Sequence, residues 1–124
     1  MAEKRAVCLN CMDGRVQLPV IKWIKDEYEF DFVDMLTEPG MDGLLSDEKF
    51  ILAPLLKKML ISIQVNSAKK IFVAGHYDCR GNPVSDAEHK RQIIAGVQRL
   101  RIDFPQTEVI GLWVNSMWEV EKLG

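Results

Sequence analysis

The chain has 124 residues, of which 48% are hydrophobic and 27% charged, a composition typical of a soluble globular protein with one domain spanning residues 1–124. A formal net charge of -2 and the lack of a basic stripe argue against nucleic acid as a partner. No apolar signal segment follows the polar N-terminus, and no uncharged apolar run approaches the ~20 residues of a membrane helix. Three cysteines, an odd number, do not indicate a disulfide framework, so we expect a cytoplasmic protein without a membrane partner.

The first third of the chain alternates apolar runs with a helical pattern. Residues 6–9 (AVCL) are a short apolar run that predicts a buried strand. Pro19 suits the first turn of a helix whose apolar positions are Ile21, Ile24 and Tyr28. Residues 32–36 (FVDML) predict a second strand. The stretch TEPG at 37–40 then breaks the pattern, and a loop is expected to run on to residue 46.

A helix is predicted to begin at Ser46. Serine is a favourable N-cap, and Asp47 and Glu48 would lie at the positive end of the helix dipole. Apolar residues then recur at helical spacing on one face: Leu52, Leu55, Leu56, Met59, Leu60 and Ile63. Pro54 lies inside this segment, so it either kinks the helix or marks a restart one turn later.

The second half of the chain continues the alternation. Residues 71–74 (IFVA) predict a third strand that ends at Gly75 and His76. Ser85 and Glu88 form a capping box that opens a further helix. Its inward-facing residues are predicted to be Ile93, Ile94, Val97 and Leu100. Residues 109–114 predict a fourth strand, and residues 118–120 fit a short fifth strand after a turn at 115–116.

This alternation predicts an α/β fold with three layers. We expect a mostly parallel four-stranded sheet in the order 2-1-3-4, an added short fifth strand, and helices on both faces. In such sheets ligands bind beyond the carboxyl ends of the strands, where the strand order reverses. Cys11 follows the first strand and His76 follows the third. These two strands are neighbours in the predicted order, so the two segments should meet.

Two thiols and one imidazole in these segments suit zinc, which binds cysteine sulfur and histidine nitrogen tetrahedrally. The candidate ligands are Cys11, His76 and Cys79. Three protein ligands leave a position open for water, as in catalytic zinc sites. Asp13 and Arg15 lie on the same short loop as Cys11. Asp13 either pairs with Arg15 and accepts a hydrogen bond from zinc-bound hydroxide, or takes the fourth zinc position itself.

Two motifs carry a resemblance to a known family. Cys11, Asp13 and Arg15 form a C-x-D-x-R motif, and His76 and Cys79 form an H-x-x-C motif. Together, in this order and each after a predicted strand, they resemble the paired signature of the β-class carbonic anhydrases. The resemblance extends from Cys11 through the last strand, and the family fold is a four-stranded parallel sheet with a short added strand.

The resemblance implies a metal site and a reaction. Cys11, His76 and Cys79 would ligate Zn²⁺, and Asp13 and Arg15 would form the catalytic dyad. The family consists of carbonate dehydratase-type lyases, which interconvert carbon dioxide and bicarbonate by means of zinc-bound hydroxide. Relatives with this site hydrolyse carbonyl sulfide or carbon disulfide. The family also forms dimers, so a homodimer or a higher homo-oligomer is expected.

The sequence departs from the family pattern outside these motifs. Glycine before the ligand histidine, here Gly75, is usual in the family, but only ten residues precede Cys11, as in a small, N-terminally truncated member. The stretch EPG at 38–40 replaces the family's Asn-Ala-Gly, and Arg80 stands where glycine is frequent. The substrate pocket is therefore expected to be reduced or rebuilt. A catalytically weak zinc-binding homologue that acts as a scaffold or sensor is the alternative from another functional class.

Cys8 offers a second interpretation of the cysteines. With Cys11 it forms a C-x-x-C motif, which could join His76 and Cys79 in a closed structural site. However, residues three apart on a strand point to opposite faces, and the intervening residues include no turn-forming glycine or proline. We therefore expect Cys8 to be an ordinary buried cysteine.

Several other polar and aromatic residues have two interpretations. His89 is expected to be a solvated surface residue, with a proton-shuttle role as the alternative. Arg80 is either a surface charge or a pocket residue that pairs with an anion. Asp78 is expected to be a hydrogen-bonding loop residue, and Trp113 and Trp118 are expected in the core or at an interface. Loop residues that belong either to the core or to the wall of a neighbouring subunit's pocket are Met41, Leu44 and Leu45.

Overall fold

A computed structural model describes residues 3–124 as one mixed sheet with helices on both faces. The strands are β1 (Arg5–Asn10), β2 (Phe32–Thr37), β3 (Lys70–His76), β4 (Glu108–Val114) and β5 (Val120–Leu123). Their order is β2-β1-β3-β4-β5. The first four are parallel, and β5 runs antiparallel to β4. The predicted α/β class and strand order are confirmed.

The helices are α1 (Gln17–Tyr28), α2 (Met41–Ser46), α3 (Ala53–Leu60) and α4 (Asp86–Asp103). A π-helical turn, Ile61–Val65, continues α3. The two sheet faces carry separate hydrophobic cores because successive strand residues point in opposite directions. On β1, Val7 and Leu9 face the core formed with α2, α3 and α4, whereas Ala6 and Cys8 face the core formed with α1. No helix within residues 3–124 is long and apolar enough to cross a membrane.

The prediction that Ser46 begins a helix is wrong. Ser46 ends α2, and its hydroxyl donates a hydrogen bond to the Gly43 carbonyl at 3.0 Å. The next helix begins at Ala53 and has Pro54 in its first turn, which confirms the alternative of a restart at Pro54. Proline lacks an N–H and would clash with the preceding turn inside a helix, so the first turn is where it is tolerated. Leu60, predicted on the apolar face, is 38% exposed.

The segment predicted to be a loop up to residue 46 contains helix α2. Met41 and Leu45 of α2 are fully buried where this helix packs against the sheet and α4, so they belong to the core. Close packing explains the burial, because a side chain at Gly96 of α4 would contact Leu45 Cβ at 3.0 Å. Ser85 is confirmed as the N-cap of α4, since its Oγ accepts a hydrogen bond from the Glu88 N–H at 3.1 Å. The reciprocal half of the predicted capping box is replaced, because the Glu88 carboxylate accepts hydrogen bonds from Arg91.

The last strand begins two residues later than predicted. Residues 115–118 form a turn in which the Trp118 N–H donates to the Asn115 carbonyl at 2.9 Å. The Asn115 side chain accepts hydrogen bonds from the N–H groups of Met117 and Glu119. Trp118 has a positive φ of 59°, so the chain cannot be extended there, and pairing with β4 starts at Val120.

The edge strand β2 is fixed by one carboxylate. Asp34 accepts hydrogen bonds from Arg5 Nη1 (3.0 Å), Ser62 Oγ (2.6 Å) and Asn66 Nδ2 (3.2 Å). Burial raises the pKa of Asp34, but these hydrogen bonds outweigh it, so the net pKa lies below the ordinary value. The π-helical turn and the residue after it supply Ser62 and Asn66, and thereby join the end of α3 to the sheet.

Candidate metal centre

The sheet brings the three predicted metal ligands together at its carboxyl edge. Cys11 directly follows β1, His76 is the last residue of β3, and Cys79 lies in the turn after β3. Because β1 and β3 are parallel neighbours, both chains leave the sheet at the same edge. All three side chains are buried, and one candidate ligand atom from each lies within 4.8 Å of those of the other two.

The spacing of the sulfur atoms fits a tetrahedral zinc site. Cys11 Sγ and Cys79 Sγ are 3.9 Å apart. Two sulfurs bound at ~2.3 Å to one tetrahedral zinc ion would lie ~3.8 Å apart. A disulfide would require ~2.0 Å, and both cysteines are free thiols. The sulfur pair is therefore arranged for a shared ion.

The imidazole of His76 leaves one nitrogen free for a ligand. Its Nδ1 lies 2.7 Å from the carbonyl oxygen of Tyr77. Because a carbonyl can only accept, Nδ1 carries the proton and Nε2 carries the lone pair. Nε2 is buried and makes no hydrogen bond within residues 3–124. A buried polar atom without a partner costs ~1–3 kcal/mol, and a metal ion would satisfy it. The donor set, the sulfur spacing and this nitrogen all fit zinc.

The two thiols differ in acidity because they share a hydrogen bond. The contact with Cys79 lowers the pKa of Cys11 to about 4, and His76 and the N–H groups of Gly40 and Asp13 act in the same direction against burial. The same contact, followed by burial, raises the pKa of Cys79. Burial lowers the pKa of His76, but the nearby Cys11 sulfur and the hydrogen bond to the Tyr77 carbonyl produce a net rise. The N–H groups that face Cys11 therefore favour the thiolate form of this ligand.

Asp13 forms an ion pair with Arg15 and is not one of the clustered candidate ligands Cys11, His76 and Cys79. Arg15 Nη2 donates to Asp13 Oδ2 at 2.7 Å, and Arg15 Nε lies 3.1 Å from both carboxylate oxygens. The Arg15 backbone N–H adds a hydrogen bond to Asp13 Oδ1 at 2.9 Å. These hydrogen bonds lower the pKa of Asp13 to about 2. Asp13 is thus an anion at neutral pH and is held in a fixed orientation.

Arg15 is itself fixed from three sides. Beyond Asp13, its Nη1 donates to Asp78 Oδ2 at 3.1 Å and its Nη2 to the Asp78 carbonyl at 3.0 Å. Its guanidinium also lies over the Trp118 ring, 4.7 Å from the ring centroid. The prediction that Asp78 is a hydrogen-bonding loop residue is confirmed, and its partner is Arg15 on the loop after β1. Trp118 also supports the Asp13–Arg15 pair.

An open pocket of about 450 Å³ adjoins this pair and is lined by Asp13, Gly14, Arg15 and Arg80. Of the two interpretations of Arg80, its position favours a pocket residue over a surface charge.

Cys8 is fully buried in the core beneath α1 and is not part of the metal-ligand cluster. Burial raises the pKa of its thiol. The expectation of an ordinary buried cysteine is confirmed, and the closed site with a third cysteine is not formed.

A buried polar network behind the centre was not predicted from the sequence. His89 Nδ1–H donates to Asp42 Oδ2 at 2.6 Å, and the Asn82 amide donates to Asp42 Oδ1 at 3.0 Å. The Asn82 amide also donates to Gln92 Oε1 at 2.6 Å. The prediction that His89 is solvated is wrong, since the residue is 1% exposed. It lies on the face of α4 that packs against α2, where Asp42 provides its partner.

One sequence signal could have identified this histidine. His89 precedes Ile93, Gly96, Val97 and Leu100 by 4, 7, 8 and 11 positions, which is the spacing of one helical face. All four of those residues are buried. The signal was therefore periodicity rather than chemistry. Nothing comparable marks Asp42, which lies beside a glycine in a segment typical of a loop.

The network fixes the two loops that surround the sulfur atoms. A side chain at Gly75 would overlap Asp42 Oδ2, so the position next to His76 must remain a glycine. Gly40 has a φ of +61°, and a side chain there would meet Asn82 Cβ at 2.7 Å. The loop that carries Cys79 is thereby packed against the loop whose N–H group stabilises the Cys11 thiolate.

Comparison with known proteins is consistent with this geometry. A family model described as "Putative carbonic anhydrase" matches residues 1–124. One of two tetrameric β-carbonic anhydrases from the ascomycete Sordaria macrospora superposes with a TM-score of 0.68 at 13% identity, over 100% of this chain and 82% of that chain. The carbonic anhydrase from Glaciozyma antarctica gives 0.67 at 13% identity, over 100% and 85%.

The β-carbonic anhydrase isoform I of the protozoan Trichomonas vaginalis gives a TM-score of 0.64 at 15% identity, over 98% of this chain and 83% of that chain. No curated protein sequence matches the chain. At these identities the solved structures establish the fold, and the family model establishes the family. Because that model matches all 124 residues, the chain belongs to the carbonic anhydrase family and has the fold of the β-carbonic anhydrases.

Proposed function

We propose that the protein is a zinc-dependent carbonic anhydrase that interconverts carbon dioxide and bicarbonate. The observation that carries the proposal is the convergence of two thiol sulfurs with a buried imidazole nitrogen that has no other partner. Cys11, Cys79 and His76 Nε2 would hold the zinc ion. Three protein donors leave one coordination position for a water molecule or a substrate, which is the arrangement of catalytic zinc.

When bound, zinc supplies a Lewis-acidic centre that lowers the pKa of a coordinated water toward ~7. The protein's contribution to the site begins with the ligands themselves. The Tyr77 carbonyl fixes the His76 tautomer, so that Nε2 always presents its lone pair. The N–H groups of Gly40 and Asp13 stabilise the Cys11 thiolate, which favours the deprotonated ligand that metal binding requires.

Asp13 is suited to orient the reacting water. Its pKa of about 2 leaves it ionised at neutral pH, so it accepts hydrogen bonds and does not donate them. Arg15 fixes both carboxylate oxygens, and Asp78 with Trp118 fixes Arg15. One water and one carbon dioxide give bicarbonate and one proton. The oxygen of the oriented water bonds to the carbon, and the proton passes to buffer through the open pocket.

Stopped-flow carbon dioxide hydration with zinc-loaded protein tests the proposal. We expect a rate above that of buffer, and Asp13→Asn should lower it on the order of 10²-fold because the orienting anion is lost. Zinc content should be unchanged in this variant. Asp103→Asn, which removes an exposed carboxylate elsewhere, should retain the wild-type rate.

A rate no faster than buffer between about pH 7 and 9 would refute the proposal, because activated zinc water is available in that range. The same protein should then be assayed with carbonyl sulfide and carbon disulfide. Activity on either sulfur compound would assign the site to hydrolysis of those substrates. Lack of activity on all three, with zinc still bound, would leave a zinc-binding homologue that acts as a scaffold or sensor.

We infer further that the protein is a homo-oligomer with one domain per chain. Exposed apolar side chains adjoin residues of the candidate centre in the sequence: Met12 beside Cys11 is 60% exposed, Tyr77 beside His76 is 41% exposed, and Met117 beside Trp118 is 69% exposed. The similar proteins from Sordaria macrospora are tetrameric, which supports self-association in this family. A molar mass measured in solution by light scattering tests the inference, and the mass of one chain at micromolar concentration would contradict it.

A further inference from the structure

The pocket beside the candidate metal centre contains a guanidinium group without a partner. Arg80 follows Cys79 directly, is exposed, and lines the pocket together with Asp13, Gly14 and Arg15. Within residues 3–124 its side chain makes neither a hydrogen bond nor an ion pair. Arginine carries five N–H donors and a permanent charge, so this group is free to bind a ligand.

The second arginine of the pocket, Arg15, already makes hydrogen bonds to neighbouring protein groups. Arg15 donates to both carboxylate oxygens of Asp13, to the Asp78 side chain and to the Asp78 carbonyl, and it also stacks on Trp118. Four of its five N–H groups are directed at groups of the protein itself. Arg80 is therefore the main side chain available to recognise an anion that enters the pocket.

The charges around the pocket explain why a further cation is needed. Asp13 and Asp78 are two anions, and Arg15 neutralises one of them, so this group carries one net negative charge. A divalent ion held by two thiolates and a neutral imidazole adds no net charge. Without Arg80 the pocket would repel an anion, and with Arg80 the balance is neutral.

We propose that Arg80 forms an anion subsite at the mouth of the centre, which takes a small planar oxyanion of the bicarbonate type. The planar fork of a guanidinium matches two oxygens of such an anion. The inference rests on the proposed function, in which bicarbonate is one of the two substrates. The subsite stabilises bound bicarbonate and makes no contact with neutral carbon dioxide, so it acts on the KM for bicarbonate.

Nuclear magnetic resonance of ¹⁵N-labelled, zinc-loaded protein tests the subsite without depending on turnover. During titration with sodium bicarbonate at fixed ionic strength and pH, the Arg80 Nε–H signal should shift and saturate. The backbone N–H of Gly14, which also lines the pocket, reports affinity in every variant. Arg80→Gln should weaken binding about tenfold, the size of one exposed charge-assisted hydrogen bond.

Two variants separate geometry from charge. Arg80→Lys keeps the charge without the fork, so its affinity should lie between those of wild type and Arg80→Gln. Lys57→Gln removes an exposed positive charge on α3 and should bind bicarbonate as wild type does. If Lys57→Gln weakens binding as much as Arg80→Gln, the effect is one of net charge, and the subsite is refuted.

Failure of this inference is distinguishable from failure of the proposed function. Equal affinity in Arg80→Gln and wild type, or an Arg80 signal that does not saturate, overturns the subsite even if hydration is fast. Binding that depends on Arg80 in a protein that does not hydrate carbon dioxide supports the subsite and removes only the catalytic assignment.

Discussion

Replacing Asp42 by asparagine preserves the shape of the side chain but exchanges one acceptor oxygen for an NH₂ donor. In the wild type, Oδ1 accepts from the Gly43 N–H at 2.8 Å and from the Asn82 amide at 3.0 Å. Oδ2 accepts from His89 Nδ1–H at 2.6 Å. Asparagine must keep its oxygen towards the two donors Gly43 and Asn82. Its NH₂ group then faces the Nδ1–H of His89.

The structure sets the size of the resulting loss. His89 can accept from the new NH₂ group only by moving its proton to Nε2, which is buried and makes no hydrogen bond within residues 3–124. An unsatisfied buried donor costs ~1–3 kcal/mol, and loss of the hydrogen bond to a charged acceptor adds to it, so we expect about 3 kcal/mol. For a chain of this length that corresponds to a fall in Tm of roughly 10 °C.

Urea unfolding followed by circular dichroism measures this change in the free energy of unfolding. Asp103→Asn, at an exposed position of α4, is the matched control and should change stability by less than about 0.5 kcal/mol. If Asp42→Asn is as stable as this control, then the network does not contribute to folding. The loops around Cys79 would then be fixed by something other than this network.

Three further changes test other parts of the molecule. His76→Gln removes the candidate nitrogen ligand, so its zinc content, measured by mass spectrometry after gel filtration, should fall. The control is Cys8→Ala, which keeps the ligand cluster and should retain much more zinc than His76→Gln. Equal zinc content in the two variants would show that His76 is not a ligand. Asp34 has a pKa lowered from 3.8, so its contribution to stability is complete above that value and is lost as the pH falls through the lower folded pKa. The stability difference between wild type and Asp34→Asn should accordingly be largest near neutral pH and shrink in acid, and a difference that does not vary with pH would contradict the assignment. Ser85→Ala removes the N-cap of α4 and should lower the free energy of unfolding in urea by about 1 kcal/mol without changing zinc content. An unaltered unfolding midpoint would show that the hydrogen bond between Ser85 and the Glu88 N–H is not stabilising.

The order of the four parallel strands was predictable because each of them contains a separate apolar run. The runs at 6–9, 32–36, 71–74 and 109–114 all lie within strands of the sheet. Parallel pairing then directs their carboxyl ends to one edge, which is why Cys11 and His76 could be expected to meet. The pairing of Asp13 with Arg15 was predictable for a different reason, since the two residues lie two positions apart in one loop and carry opposite charges.

Local signals failed where two of them competed. Ser46 is a favourable cap followed by acidic residues, yet Pro54 decides where the helix begins, because its ring excludes every position except the first turn. The pair Asp42 and Gly43 is typical of a loop, but burial of Met41 and Leu45 against α4 stabilises a short helix there. In both cases a steric or tertiary constraint overrode a weaker local preference.

The polar network could not be predicted from one sequence. Asp42 and His89 are separated by 47 positions, and their contact depends on how α2 packs against α4. Apolar periodicity indicates which faces are buried, but it does not indicate which polar side chains on those faces are partners. Such pairs can be identified from a structure, or by assigning an acceptor to each buried donor.

The stacking of Trp118 on Arg15 joins distant parts of the chain. The three candidate metal ligands all lie within the first 79 residues, whereas the Trp118 ring that supports the Arg15 guanidinium lies in the turn between β4 and β5. During synthesis, a chain that has emerged only as far as Cys79 would possess its donors but lack this support. A deletion confined to the last turn and β5 would therefore leave the donor residues in the sequence and remove the ring that supports Arg15.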